Sequence, residues 1–393
     1  MWPKQELSYF ILAFFSSSSL ACLQHSQRKA TALDIQDQAY TRRAPLASTK
    51  TAINKVRVFD GQCFTGPQTV VFANGRITSD TKNIETHRGT RKYHVLRRDD
   101  GTQHGVWRLR SLFRAKEPQP DGSRLGSLGR NSSRGNSSGN GALQPPPDQL
   151  VYPDTDLPQL VAYAFGNGSD YYKLVAKPAS LSQAQQNTLV SAAHGLGRQT
   201  MTHASDLVSL QQAVASRSDG LQHIPDDGLL PISTVAAIKK NKQFVTPTMT
   251  IFKYGYSNPA VLAFLGRTNS TNATYAHVEE NVRRLHEAGV PLLAGTDAVG
   301  AVAPGIDLPF GSTLHEELQL LSGVGLTPVE ALRAGTVESA AWHRLLDRGE
   351  IKIGKRADLV LLNSNPLLDI SNTRDIAKVW VGGVEVQDVV RLT

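Results

Sequence analysis

The middle of the chain, between about residues 154 and 345, alternates short apolar runs with segments of helical periodicity. The apolar runs are YYKLVA, QTMTHA, GLQHI, QFVTPTMT and VPLLAGTDA. Two of the helical segments are residues 181–196, closed by Gly197, and residues 275–289, in which Gly289 is the expected C-cap. Repeated strand-then-helix units predict an α/β fold with a parallel sheet and right-handed crossovers. The five strand units fit either an open doubly wound sheet or an incomplete (β/α) barrel.

A second pattern, of short β-rich runs joined by glycine turns, occurs at two places that are far apart in the sequence. Residues 56–78 (VRVFDGQCFTGPQTVVFANGRIT) contain two such runs and an Asn-Gly hairpin turn. Residues 351–393 contain ADLVLL and KVWVGGVEV, in which a Gly-Gly pair makes the turn. We therefore predict that residues 51–79 and 348–393 pack together as one small β domain. Residues 151–347 then form the α/β part.

Residues 80–150 follow neither pattern and are rich in Arg, Ser and Gly. Between Lys82 and Arg134 the chain has 13 Lys or Arg and 5 Asp or Glu, an excess equal to its net charge of +8. This composition predicts disorder. The alternative is that a part such as GVWRLRSLF covers an open sheet edge, because unpaired strands need a neighbour. Since aromatic residues are sparse here and no binding module is recognisable, we expect no nucleic-acid partner.

Overall composition is that of a globular protein. With 393 residues, of which 40% are hydrophobic, the chain can bury the core of one large or two medium domains. Its two cysteines, Cys22 and Cys63, exclude both a disulfide framework and a Cys-rich zinc cluster.

The N-terminal residues 1–24 are consistent with a secretory leader that is cleaved near Ala21. Glu6 and the serine run argue against a leader, so a secreted and a cytoplasmic location both stay open. The apolar run at residues 10–15 is too short to span a bilayer, and we expect no stable membrane insertion.

Four polar residues stand within or at the ends of the apolar runs. Lys173 lies within YYKLVA and His203 ends QTMTH, while His223 follows GLQ. Asp297 follows LLAGT. Each has an ordinary explanation: a strand-end His is more often structural, Lys173 can point to solvent, and Asp297 can form a turn or cap a helix. Together they favour a site, because functional residues of α/β folds collect at the carboxyl ends of strands.

The chemistry of these side chains favours a metal site. Imidazoles and carboxylates are ligands of zinc and similar divalent ions. A charged Lys on a strand beside Tyr and Leu is costly unless it is neutralised, paired or modified. Carbamylation by carbon dioxide would turn Lys173 into an anionic oxygen ligand.

The sequence resembles the amidohydrolase superfamily, in particular its prolidase-like and imidazolonepropionase-like metal-dependent hydrolases. The resemblance covers about residues 51–78 and 155–393. It rests on DYYKLVA, MTHAS, LQHIPDD, PLLAGTDA, PFGSTLHEEL, LTPVEALRAGTVESAA, DRGEIKIGKRADLVLL and VWVGGV. It implies a TIM-type (β/α)8 amidohydrolase barrel, here incomplete, and a small β-sandwich formed by both chain ends.

The resemblance also implies roles for the four polar residues. Lys173 matches the bridging carbamylated lysine, and His203 and His223 match the ligands after the fifth and sixth strands. Asp297 matches the acid of the eighth strand, a metal ligand that would also take a proton from the attacking water and hand it to the leaving nitrogen. The implied cofactor is one or two divalent metal ions, most simply zinc. The implied partner is a small amide or dipeptide substrate, and the family leaves room for a homo-oligomer.

The chain departs from this family at the first barrel strand, where the family carries a His-x-His pair. No His-x-His occurs in the sequence, and His87, His94 and His104 lie in the expected region without that spacing. We infer that residues 80–150 replace barrel sequence, as an unspliced intron or a frameshifted exon would. Two functions stay open: a metal-dependent hydrolase of carbon–nitrogen bonds, and a non-catalytic, truncated or mis-spliced relative of one.

Overall fold

The computed structural model describes residues 9–12, 50–79, 128–131, 150–166, 169–178, 180–264, 272–298, 300–303 and 305–386. Within these ranges, no helix is both long enough and apolar enough to cross a membrane.

The strands are, in chain order, β1 (Tyr9–Leu12), β2 (Thr51–Val58), β3 (Gln68–Ala73), β4 (Arg76–Thr78), β5 (Leu128–Asn131), β6 (Leu150–Val151), β7 (Tyr171–Val175), β8 (Gln199–His203), β9 (Gly220–Gln222), β10 (Phe244–Thr246), β11 (Gly300–Ala303), β12 (Ile306–Leu308), β13 (Leu359–Leu362), β14 (Ile376–Val381) and β15 (Val384–Glu385). The α-helices are α1 (Leu157–Gly166), α2 (Gln183–Gly195), α3 (Leu207–Ala215), α4 (Ile232–Lys240), α5 (Met249–Ser257), α6 (Pro259–Phe264), α7 (Tyr275–Glu287), α8 (Ser312–Gly323), α9 (Pro328–Ala334) and α10 (Val337–Trp342). A 3₁₀ helix covers Ile370–Arg374.

The central sheet contains six parallel strands in the order β10-β9-β8-β7-β5-β6. Helices α2, α3 and α4 connect successive strands from β7 to β10, so the predicted parallel α/β pattern is confirmed. The predicted strand VPLLAGTDA instead runs beside β10 as an extended segment, joined by the bridge between Val245 and Leu292. Within the described residues, the sheet does not close into a complete barrel.

The inner face of this sheet is packed too tightly for a side chain at one position. A Cβ atom on Gly220 would lie 2.4 Å from the sulfur of Met201 and 2.5 Å from the ring of Phe244. Leu293 completes the same buried cluster. Apolar side chains of β8 and β10 therefore fill the space beside Gly220 in β9.

The helices begin where the sequence supplies caps. Ser182 and Gln185 form a reciprocal capping box at the start of α2. Thr327 and Glu330 do the same for α9, whose first residue is Pro328. Thr274 accepts from the amide of His277 at the start of α7. The caps of α2 and α7 explain why the helix predictions at residues 181–196 and 275–289 agree closely with these two helices.

Two short strands come from the segment for which the sequence predicts disorder. Strand β5 lies between β6 and β7, and Leu128 pairs with Lys173. Strand β5 gives the backbone of β7 a hydrogen-bonding neighbour at its edge, and β6, at the end of the same segment, does so for β5. Disorder of the segment as a whole stays a prediction, and GVWRLRSLF lies outside the described residues.

Strands from both ends of the chain share a second sheet, in the order β15-β14-β13-β1-β2-β3-β4. Its buried cluster includes Val56 and Phe72 from one end and Trp380 from the other. The two glycine turns also meet, because a Cβ atom on Gly75 would lie 3.0 Å from the carbonyl oxygen of Gly382. The division of the chain into a β domain and an α/β domain stays a prediction.

Strand β1 lies inside the segment that is consistent with a leader. It runs parallel to β2 and antiparallel to β13. It thus lies between the strands β2–β4 and the strands β13–β15. Cleavage near Ala21 would remove this strand from the sheet.

Candidate active site

The candidate site lies at the carboxyl ends of the central strands. Lys173 is in β7, His203 is the last residue of β8, and His223 directly follows β9. Asp297 follows the extended segment beside β10. The ring centroids of His203 and His223 are 4.4 Å apart, and Nε2 of His223 lies 4.0 Å from Oδ2 of Asp297. The structure thus brings these three side chains together.

Lys173 belongs to the same group through its charge. Its side chain is buried with only 5% of the residue exposed. Burial raises the pKa of Asp297 to about 7, and the positive charges of Lys173 and Lys177 oppose that rise. Lys177 was missed by the sequence analysis, although it stands in the same run, DYYKLVAKPAS.

The burial of the Asp297 carboxylate is energetically costly. It is 9% exposed, and its Oδ1 atom has no hydrogen-bond partner among the described residues. A buried carboxylate oxygen without a donor is costly and calls for a cation or a proton. This observation fits a metal ligand better than a turn former or a helix cap.

Three residues at the strand ends adopt the left-handed backbone conformation. The φ angles are 73° at His223, 53° at Thr248 and 54° at Asp297. This conformation is unfavourable for residues other than glycine, and most of all for β-branched Thr. Strain of this kind collects at functional sites, where surrounding structure holds it in place.

Thr248 was not predicted as a site residue. Its Oγ1 atom lies 2.7 Å from Nδ1 of the His223 ring and donates to the carbonyl of Pro247 at 2.7 Å. The only sequence signal is its place in VTPTMT, one residue after a proline at the end of a strand. That signal does not distinguish a site residue from an ordinary turn.

Two further buried side chains fix the loops around these residues. Asn281 of α7 accepts from the amide of Leu230 and donates to the carbonyls of Pro225 and Gly228, which holds the loop after His223. Glu317 of α8 accepts from the backbone amides that open α5. Neither was singled out from the sequence, since single polar residues inside helices carry no distinctive pattern.

The donor types of the site fit a divalent cation. Two imidazoles, a carboxylate and a lysine amine that can be carbamylated are all side chains that bind zinc directly or after modification. Among the described residues, however, no group of three or more His, Cys, Asp or Glu side chains is close enough to enclose a metal ion. His223 and Asp297 are therefore two metal-donor side chains that face each other. The ring of His203 packs against the ring of His223 in an edge-to-face arrangement.

Comparison with known proteins shows the family to which the chain belongs. The family model of the amidohydrolases matches residues 153–386, which is more than half of the chain. The chain therefore belongs to the amidohydrolase family.

Individual relatives match shorter stretches. An imidazolonepropionase from Deinococcus deserti is 38% identical over 107 residues, which are 26% of this chain and 26% of that protein. Adenine deaminase 2 from Desulfotalea psychrophila is 35% identical over 75 residues, which are 19% of this chain and 12% of the relative. The matched region spans only about a quarter or less of the length of these relatives.

Solved structures resemble the fold of this chain over a greater part of its length than the sequence relatives do. A Xaa-Pro dipeptidase with bound methionine has a TM-score of 0.60 at 17% identity, over 86% of this chain and 99% of that one. A prolidase complexed with N-methylphosphonate-L-proline has a TM-score of 0.61 at 20% identity and the same coverage. These similarities establish the fold as that of the amidohydrolases.

Proposed function

We propose that the protein is a metal-dependent hydrolase of carbon–nitrogen bonds in small amide or dipeptide-like substrates. The observation that carries this proposal is the buried pair of His223 and Asp297, whose facing atoms are 4.0 Å apart. The resemblance to imidazolonepropionases and prolidases favours N-acyl amino acids and dipeptides as the substrate class.

Four residues would hold the cation, and one of them would also carry a proton. His203, His223, Asp297 and a carbamylated Lys173 would be the ligands of the cation, most simply zinc. When bound, the cation supplies a Lewis acid that lowers the pKa of water and polarises a carbonyl group. Asp297 accepts a proton from the attacking water as its oxygen bonds to the carbonyl carbon. Asp297 then delivers that proton to the nitrogen as the carbon–nitrogen bond breaks.

A second function remains open because the chain has no His-x-His pair. Two imidazoles on the first barrel strand would complete a two-metal site, and three ligands with water can hold only one ion. In this alternative the protein is a non-catalytic relative of the hydrolases that retains part of the metal site.

The test combines metal content with turnover. The full chain, loaded with zinc, would be assayed on dipeptides and N-acyl amino acids beside His223→Ala and Asp297→Asn. We expect bound zinc in the wild type, less zinc in His223→Ala, and turnover in both variants reduced by about 100-fold or more. His194→Ala is the matched control, because His194 lies in the last turn of α2 and pairs with Asp219 at 2.8 Å, outside the candidate site.

The outcomes separate the two functions. Turnover that is lost in both site variants and kept in His194→Ala establishes the hydrolase. Zinc binding without turnover on any substrate of the panel establishes the non-catalytic alternative. A wild-type chain that binds no zinc would sink the assignment of the site.

A further inference from the structure

We propose that Thr248 is a positioning residue that holds the His223 ring with Nδ1 protonated and Nε2 directed to Asp297. This inference rests on the proposed function, because it concerns a ligand of the proposed metal site. Thr248 itself touches neither the substrate nor the cation in this assignment. It acts through His223.

The hydrogen bonds of the hydroxyl determine the tautomer. Thr248 Oγ1 lies 2.7 Å from the carbonyl oxygen of Pro247 and 2.7 Å from Nδ1 of His223. A hydroxyl has one hydrogen, and a carbonyl oxygen can only accept. Both contacts are satisfied when the hydroxyl donates to Pro247 and accepts from the N–H at Nδ1. Nε2 then carries the lone pair, and it is the nitrogen that faces Asp297 at 4.0 Å.

The backbone of Thr248, which places this hydroxyl, has an unfavourable conformation. Thr248 has a φ of 53°, a left-handed conformation that is unfavourable for an L-residue with a branched Cβ. The next residues open α5, and their amides donate to the buried carboxylate of Glu317 at 3.0 Å from Met249 and 2.8 Å from Thr250. Glu317 thus anchors the backbone immediately after Thr248. The strained residue is held between a fixed helix start and the His223 ring.

The hydroxyl of Thr246 can be compared with that of Thr248. It is the last residue of β10, it is fully buried, and its hydroxyl has no hydrogen-bond partner among the described residues. The same side chain two residues apart is therefore bonded to a site histidine in one case and not in the other. Thr246→Val is the matched control for Thr248→Val.

The first readout is the tautomer of His223 in metal-free protein. We would record imidazole 15N shifts of the full chain, with the His223 signal assigned by its loss in His223→Ala. The wild type and Thr248→Ser should show the Nδ1–H form, because serine keeps the hydroxyl. Thr248→Val should shift His223 toward the Nε2–H form, since valine keeps the branching and the strain but cannot accept. An Nε2–H form in the wild type would overturn the proposal without any variant.

The second readout is zinc affinity, measured by competition with a chelator. Thr248→Val should raise the zinc dissociation constant by about 10- to 100-fold, as loss of a partner of a metal-bound histidine does. Thr248→Ser and Thr246→Val should stay within about threefold of the wild type. Equal affinity of the wild type and a folded Thr248→Val overturns the proposal.

The two readouts distinguish this inference from the proposed function. A wild type that binds zinc and turns over substrate, with no response to Thr248→Val in tautomer or affinity, refutes the role of Thr248 alone. The Nδ1–H tautomer that is lost in Thr248→Val supports the positioning role even in a protein that proves non-catalytic.

Discussion

Individual buried carboxylates decide much of what this protein can do. Burial raises the pKa of Glu317 to about 7 from its ordinary value of 4.5, although the amides and hydroxyl at the start of α5 oppose the rise. Asp297 lies in a similar position at the site, where the charges of two lysines oppose the effect of burial. In both residues burial outweighs the opposing donors or cations, so the carboxyl group binds a proton at a higher pH than an exposed one does.

We predict a pH dependence of stability that originates in Glu317. Between about pH 4.5 and 7, the carboxyl is ionised in the unfolded chain and still protonated in the folded one. The free energy of unfolding should therefore fall as the pH rises through this window, on the order of 3 kcal/mol from this group. Glu317→Gln cannot titrate, so its urea-unfolding free energy should lack this part of the slope.

Glu316→Gln is the control, because Glu316 is the neighbouring carboxylate and pairs with Lys253 near the surface at 3.1 Å. It should keep most of the wild-type slope, because the charge of Glu316 is the smallest of the contributions to the pKa of Glu317. If Glu317→Gln and the wild type show parallel stability curves from pH 4.5 to 7.5, Glu317 does not titrate in this range.

At the scale of elements, the β sheet of the two chain ends depends on close backbone contact between two turns. Gly75 follows β3, and Gly382 and Gly383 follow β14. Gly75 and Gly383 have φ angles of +75° and +76°, and a Cβ atom on either would press on the other turn. The sequence predicted both turns from their glycines, but their contact depends on the sheet order.

Gly75→Ala should therefore destabilise the protein more than an alanine at an equally left-handed glycine in open space. Gly197 has a φ of +68° and no heavy atom within 4 Å of the position of a Cβ. We expect Gly197→Ala to cost about 1 kcal/mol from backbone strain, and Gly75→Ala to cost about 1 kcal/mol more from the backbone clash. Chemical unfolding of both variants is the measurement.

Gly66→Ala serves as the neutral reference, because Gly66 does not have a left-handed φ and no heavy atom lies within 4 Å of the position that a Cβ would take. Equal losses in Gly75→Ala and Gly197→Ala would show that the meeting of the two turns contributes nothing to stability.

At the scale of the whole molecule, β1 connects the two ends of the chain within one sheet. It lies between β2 and β13 and pairs with both. A strand in this position satisfies backbone groups on two neighbours, which would otherwise be left at open edges. The N-terminal segment thus contributes to the sheet, which its apolar composition alone did not indicate.

Removal of residues 1–20 should lower the free energy of unfolding by about 3 kcal/mol, because several backbone hydrogen bonds of about 1 kcal/mol each are lost. Removal of residues 1–8, which ends just before β1, should have little effect. The measurement is urea unfolding of both truncated proteins beside the full chain. A truncation to residue 21 that is as stable as the full chain would contradict the role of β1.

The sequence by itself determined the parallel α/β pattern, the two glycine turns and the four polar strand ends, because these depend on local periodicity and on residue type. Tertiary structure alone decided which groups meet: β5 covers the edge of β7, β1 joins both chain ends, and Thr248 bonds to His223. Such contacts join residues that are distant in the chain or strained in their backbone. No local pattern encodes them, since they are selected by the need to pair backbone groups and to satisfy buried polar atoms once the sheet has formed.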